Sequence, residues 1–422
     1  MAISLFLVYC LIVHNSWVVI IYIIVTLLLI VLLIVIRLMI IKKVIKESVY
    51  KNPKIYNIYD LYKGNVHDNN LVLLEENAIL SSKKDLLDVQ LFVTSLKDIL
   101  INCFPKETYI IALIGKWGCG KTSIINILEE SLENNVVMAK FSPWKYNDKL
   151  SLFTGFYDLV FKSLGNNIGY VNYKKIFNKY KSIIFGLVKK GLNLSIDDFW
   201  EEENVNDINN IRDSINEYIS LNKKKLIIVI DDIDRLDKNQ ILLIFKLIKT
   251  VFNFDNLIYI LCFDEERINK LFEEELNIDS CYLDKIIQNK IIVPKINNNL
   301  LKDIGKTCII NIINNYNINV YDDDRLNKTM DLIFKNLHNL RDVIRLINSI
   351  SVAIKCLKVI NLDISDIISL EYIKYSDINL YYQLSNKSKY LISEDSYYNL
   401  EYEFELPEKF NKEAEEVFWF VV

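Results

Sequence analysis

Short apolar runs alternate with longer stretches of helical spacing through the middle of this chain. Residues 109–114 (YIIALI), 136–142 (VVMAKFS), 225–230 (KLIIVI), 257–263 (LIYILCF) and 291–294 (IIVP) are brief and almost wholly apolar, and each reads as a strand. Between them lie segments whose apolar positions recur every three or four residues. These predict helices over 83–102, from the glycine loop to about 133, over 150–164, 211–222 and 238–250, and over LDKIIQNK at 283–290. Strands that lack a polar face, separated by helices, predict a parallel sheet covered on both sides, which is an α/β class. After residue 298 the strand pattern stops. Residues 301–316, 325–340 and 341–357 all carry helical spacing, which predicts a helical unit over 299–422. Residues 166–205 form a polar, aromatic-rich insert, and 47–82 read as a linker and lead-in segment punctuated by KNPK and KGNVHDNN.

The first forty residues break this rhythm. From Trp17 to Ile36 no charged residue occurs, a length of about 30 Å as a helix, enough to cross a bilayer. No polar face is present, which excludes a helix lying along the membrane surface. A basic start and a small-residue cleavage site are both missing, which excludes a secretory signal peptide. Arg37, Lys42, Lys43, Lys46, Lys51 and Lys54 follow on one side, and the positive-inside rule puts that side in the cytoplasm. The expectation is a transmembrane anchor in residues 1–46 with one full span at about 17–36. Residues 3–13 read as a short second span, a half-span or an interfacial piece. The remainder would then be a cytoplasmic body at the cell membrane, with the lipid bilayer as a partner.

Bulk composition narrows the classes. A net charge of −4 leaves no basic domain for nucleic-acid binding. Seven scattered cysteines without a Cys-x-x-Cys pair, and only three histidines, argue against a zinc site or a disulfide framework.

Ten glycines occur in the whole chain, and three of them, Gly115, Gly118 and Gly120, fall within six positions and precede Lys121 and Thr122. Gly-x-x-x-x-Gly-Lys-Thr after a strand and before a helix is a P-loop. Successive backbone N–H groups of Gly115, Lys116, Trp117, Gly118, Cys119, Gly120, Lys121, Thr122 and Ser123 would cradle phosphate oxygens at a helix N-terminus. Lys121 would reach the terminal phosphates, and the Thr122 hydroxyl would ligate Mg²⁺. The strand 225–230 ends in Asp231, Asp232 and Asp234. Asp231 is the expected second Mg²⁺ ligand, in a strand-end position beside the P-loop, and Asp232 the base for an attacking water. Asp234 is as well explained by the favoured acid at a helix start. Asp264, at the end of strand 257–263, is a candidate sensor of the γ-phosphate. Arg341 and Arg345, four residues apart on one helix face, are candidates to reach a phosphate, and Arg235 is a candidate arginine finger. The Asn-Lys-x-Asp base-reading motif of GTPases is absent, which favours ATP.

These segments resemble the KAP family of P-loop NTPases. IALIGKWGCGKTS resembles its Gly-x-Trp-Gly-x-Gly-Lys-Thr/Ser loop, FSPWKYND its Phe-x-x-Trp stretch, VIDDIDRL its acidic strand end, YLDKIIQNKIIVP its Tyr-Leu-x-Lys-Ile-Ile-Gln segment, and LRDVIRLINS its late arginine-bearing helix. The likeness runs over about 72–355. It implies a membrane-tethered ATPase of the AAA-like, additional-strand division, with its P-loop core at 83–298, coupling ATP hydrolysis to assembly of a signalling or defence complex with an unidentified protein partner. The family's membrane segments commonly lie between the two nucleotide motifs, whereas the insert here has only SIIFGLV, too short to span. A non-hydrolysing ATP-bound switch or scaffold shares the same motifs. A small-molecule kinase is disfavoured, because no acceptor-binding lid stands out. An arginine finger supplied from another copy would imply a homo-oligomer.

Overall fold

The structure, a computed structural model, describes residues 54–67, 71–102, 108–133, 136–164, 225–273, 280–357 and 363–386, with short pieces elsewhere. Two units separate: one holds residues 1–55 and 70–73, the other residues 56–69 and 74–422. The predicted spans at 17–36 and 3–13 lie outside the described residues, apart from Val25. Among the described residues no helix is long and apolar enough to cross a membrane.

The second unit is built on five parallel strands, β1 (Tyr109–Ile114), β2 (Val136–Phe141), β3 (Lys225–Ile230), β4 (Leu257–Phe263) and β5 (Asn289–Ile292). Their order across the sheet is β2-β3-β4-β1-β5. β4 therefore sits between the P-loop strand β1 and the acidic strand β3, with Ile110 paired to Tyr259 on one side and Ile227 to Ile258 on the other. This is the additional-strand arrangement that the family resemblance implies.

Alternation along each strand sends side chains to two separate cores. Ile110, Ala112, Ile228, Ile230, Tyr259 and Leu261 face one side, where they meet α3 (Lys149–Leu164) and α4 (Lys238–Lys246). Ile111, Leu113, Ile227, Val229, Ile258 and Ile260 face the other, against α1 (Gln90–Asn102) and α2 (Lys121–Ser131). Both faces are thus dry, which is why the strands carry no polar alternation. Lys225, the only charged residue of β3, is buried, and its ammonium donates to the Leu100 and Ile101 carbonyls at the end of α1, 2.6 and 2.7 Å away. The insert contributes to the first core through Tyr180, which is fully buried beside Phe161 and Phe254 and donates to the Val251 carbonyl. Burial pushes its hydroxyl up to about 12.

Several predicted elements differ. The helix expected from residue 83 begins at Gln90, because the Asp85 carboxylate accepts from the Leu87 and Val89 amides and folds 85–89 into a turn. LDKIIQNK is not a helix: a 3₁₀ segment, Ser280–Lys285, hands over to β5 at Asn289, two residues earlier than the predicted strand. Gln288 accepts from the Ile110 amide at 2.8 Å and donates its own amide to the Ile110 carbonyl at 3.1 Å, fixing that handover beside β1. The helix expected to run to residue 250 ends in a π turn, Leu247–Val251. After β4 comes α5 (Glu265–Leu271).

Beyond residue 298 stand α6 (Asn298–Tyr316), α7 (Asp323–Lys335), α8 (Leu340–Leu357), α9 (Ile364–Ser376) and α10 (Ile378–Asn386). Arg325 of α7 bridges Asp363 and Asp366 at 3.0 and 2.6 Å, tying α7 to α9. Gly305 of α6 lies against the Phe334 ring, an approach that leaves no room for a β-carbon. The segment before α1 is also ordered: Ile58–Tyr62 makes one helical turn capped by Asn57, and Tyr62 donates to Asp303 of α6 at 3.1 Å. The EEVFWFVV terminus lies outside the described residues, apart from the buried Val417.

Candidate functional site

The loop between β1 and α2 is shaped by its glycines. Gly118 and Gly120 adopt φ of +86° and +95°, a region closed to most side chains. Gly120 caps α2, with its carbonyl accepting from Ile124 at 2.9 Å. The Lys121 side chain is buried and curls back over the loop, its ammonium 2.5 Å from the Gly115 carbonyl and 3.2 Å from that of Lys116. Among the described residues its acceptors are two neutral carbonyls of its own loop, and a charged phosphate would bind the ammonium more strongly.

Opposite the loop, the end of β3 delivers the acids. Thr122 donates to Asp231 at 2.7 Å across the end of β4. The second oxygen of Asp231 accepts from the Asp232 amide at 2.9 Å. Asp232 itself is left-handed, φ +59°, an uncommon conformation for a residue with a β-carbon. Its carboxylate lies 3.2 Å from the Arg235 guanidinium. Partial burial, then the neighbouring Asp231 charge, raise the Asp232 pKa above the ordinary aspartate value, and Arg235 opposes them in part. Asp234 is buried in the 3₁₀ turn Ile233–Arg235.

The P-loop and the Asp232–Arg235 pair open onto one cavity of about 320 Å³. Trp117, Lys121, Thr122, Asp232, Arg235 and Arg341 all line it. Its far wall is the segment 75–79 together with 84–89, which the sequence pattern presents as linker and helix start. That wall is pinned to α2: Ile79 donates to Ser123 at 3.3 Å and accepts from Asn126 at 2.9 Å. The Ser123 hydroxyl thus serves the wall. No motif marks the segment, and only its position next to a P-loop helix reveals it.

Several expected groups have other partners. Lys116 points outward to Glu266, 3.7 Å away. Asp264 caps α5 by accepting from the Glu266 amide at 3.1 Å. Burial raises the Cys119 thiol, which keeps it protonated despite the adjacent Lys121. Arg341 and Arg345 both sit over the Trp117 indole, with guanidinium carbons 4.5 and 5.2 Å from the ring centroid. Arg345 also grips Glu76 through Nε at 3.1 Å to each carboxylate oxygen, and Arg341 lies 3.7 Å from the same carboxylate. Asn339 caps the start of α8 by accepting from Asp342 at 3.0 Å, and its amide packs against Gly118. α8 is therefore seated on the P-loop. Sequence spacing put the two arginines on one face, but neither Glu76 nor Asn339 carried a signal.

With the loop, the acidic strand end and the arginine helix converging on one cavity, the comparison with protein families becomes specific. The KAP family P-loop domain matches residues 89–356, more than half of the chain. This chain belongs to the KAP family of P-loop NTPases. As a KAP protein it is also similar to the phage T7 exclusion protein of Escherichia coli (strain K12), 24% identical over 223 residues, or 44% of this chain and 30% of that protein. The chain thus spans less than a third of that relative's length. Among solved structures it is similar to the Walker-type ATPase of Pyrococcus abyssi, at 11% identity and a TM-score of 0.36 over 75% of this chain and 79% of that one. It is also similar to the ORC2 protein of Aeropyrum pernix, at 13% identity and a TM-score of 0.37 over 72% and 71%. The KAP assignment stands on the family match.

Proposed function

We propose that this KAP protein is an ATPase, anchored at the cytoplasmic face of the cell membrane by residues 17–36. In this reading its cycle drives assembly of a membrane-associated defence complex with a protein partner. One observation carries the reading. Lys121, Thr122 and Asp232, brought from two strand ends separated by β4, line a single cleft, and Asp231 accepts from both the Thr122 hydroxyl and the Asp232 amide. The defence context draws on the likeness to a phage exclusion protein, and the anchor on the apolar run alone.

The donor set suits a hard divalent cation. Thr122 and Asp231 offer neighbouring hydroxyl and carboxylate oxygens 2.7 Å apart, the sparse oxygen ligation that Mg²⁺ takes when phosphates and water complete its shell. Thr122 and Asp231 would hold it, and when bound it would neutralise charge on the β- and γ-phosphates.

The chain's own groups account for the rest. The amides of 115–123 hold the phosphates, and Lys121 leaves its loop carbonyls for the terminal ones. Asp232 takes the proton of a water that attacks the γ-phosphorus. The bond from that phosphorus to the β–γ bridging oxygen breaks, giving ADP and inorganic phosphate. A raised pKa makes the ionised Asp232 carboxylate a better base. Arg235, ion-paired to Asp232, holds its carboxylate in place. In this reading Asp264, Arg341 and Arg345 would report a γ-phosphate, the arginines through α8.

The test is Lys121→Ala in the detergent-solubilised full chain. ATP affinity is expected to fall on the order of tenfold or more, with turnover lost. Wild-type binding and turnover in that variant would overturn the reading. Tight ATP binding by the unaltered protein without turnover would replace it with an ATP-held switch.

A further inference from the structure

Glu76 is out of place by charge alone. It is a carboxylate lining a cleft read here as a triphosphate site, where a second negative charge repels the ligand. Its partners explain its presence. It is gripped through both oxygens by Arg345 at 3.1 Å, approached by Arg341 at 3.7 Å, and set beside Trp117, over whose ring both guanidinium groups lie. Two arginines, one aromatic platform and one carboxylate therefore form a closed set at the mouth of the P-loop. Glu76 comes from the wall segment, Trp117 from the loop and the arginines from α8, so the set joins three separate pieces of chain.

We propose that Glu76 is a displaceable counter-anion for the Arg341–Arg345 pair, a positioning residue that a terminal phosphate must replace. This rests on the nucleotide reading above and deepens it. Three observations fit exchange rather than a fixed strut. The Glu76 side chain is 39% exposed, and ion pairs at that exposure are weak and screened. A phosphate offers Arg the same forked geometry with more charge, so it wins the competition once it is within reach. Both guanidinium carbons lie over the Trp117 ring, 4.5 and 5.2 Å from its centroid, a charge-to-ring contact that can persist while the donors pass from one anion to another. After hydrolysis Glu76 recaptures the arginines, which favours release of the product.

The exchange has a sign. With Glu76 present, a triphosphate must break the Glu76 contacts before it gains the arginines, whereas a diphosphate that stops short of them breaks nothing. Removing the carboxylate therefore helps ATP more than ADP. In the full chain, Glu76→Gln is expected to tighten ATP binding about fivefold and to move ADP much less. A strut role gives the opposite, weaker ATP binding, and that result overturns the proposal, as does an equal shift for both nucleotides.

A second readout needs no nucleotide. Trp117 emission, taken as the difference between the protein and its Trp117→Phe variant, reports the stack directly. Glu76→Gln is expected to change it without ligand, toward the signal of the ATP-mixed parent. An unchanged signal refutes the exchange. If the parent binds neither nucleotide, the proposed function fails, and this ligand-free signal still decides whether Glu76 holds the arginines on Trp117. Should Glu76→Gln not fold, Glu76→Asp keeps the charge and loosens the fork. It is expected to show a smaller shift in the same direction, and an opposite shift counts against the proposal.

Discussion

At the scale of single residues the proposed chemistry turns on Asp232. Its left-handed backbone follows from the tight turn at the end of β3, where Asp231 accepts the Asp232 amide. Partial burial and the Asp231 charge raise its pKa, and Arg235 lowers it. A base must be ionised to act, so activity is expected to fall as pH drops through that raised value. The acid limb of kcat/KM should lie above about 3.9, the ordinary aspartate value. In Arg235→Ala the counter-charge is gone, and the limb should move to higher pH. A pH profile of both proteins checks this, and a limb that stays put or moves down contradicts the assignment of Asp232 as base. Asp231 and Asp232 were legible in the sequence because a charged doublet directly after an apolar strand has few structural explanations. The twist at Asp232 was not, since φ depends on the turn that follows. Asp264 shows the limit of reading position alone: it stands at a strand end as expected, yet one of its oxygens caps α5.

Elements were the most legible level where burial is complete. β1, β3 and β4 carry uninterrupted apolar runs because both sheet faces are dry, and their bounds match the sequence pattern. The pattern failed where side chains override periodicity. Asp85 delays α1 by capping a turn, and the LDKIIQNK run has helical spacing but is pulled into 3₁₀ and strand beside β1. β5 was placed two residues late for the same reason. Lys225 illustrates how an element depends on a distant one. Its ammonium satisfies two carbonyls at the end of α1 from the start of β3. Lys225→Met keeps the stem but leaves those carbonyls without that donor, and is expected to destabilise the protein by about 1–3 kcal/mol. Chemical denaturation of both proteins measures it. A stability within about 0.5 kcal/mol of the parent would show that the ammonium is dispensable.

For the molecule, the sheet order and the helices beyond 298 explain why motifs far apart in sequence act together. β4 intervenes between β1 and β3, yet Thr122 reaches Asp231, because both strands end on the same side of a parallel sheet. α8 then closes on the P-loop through Trp117, and residues 75–79 and 84–87 wall the same cleft, tied to α8 through Glu76. The P-loop and acidic strand were legible because phosphate chemistry restricts residue type at fixed spacing. The wall was not, because its role is steric and its sequence is ordinary. The central claim is that this convergence hydrolyses ATP rather than merely holding it. The most direct measurement is ATP turnover by the detergent-solubilised full chain, set beside ATP affinity, in the parent and in Asp232→Asn. The account requires turnover in the parent, a loss of about 10²-fold or more in the variant, and affinity retained within a few fold. Equal turnover in the two proteins would contradict it.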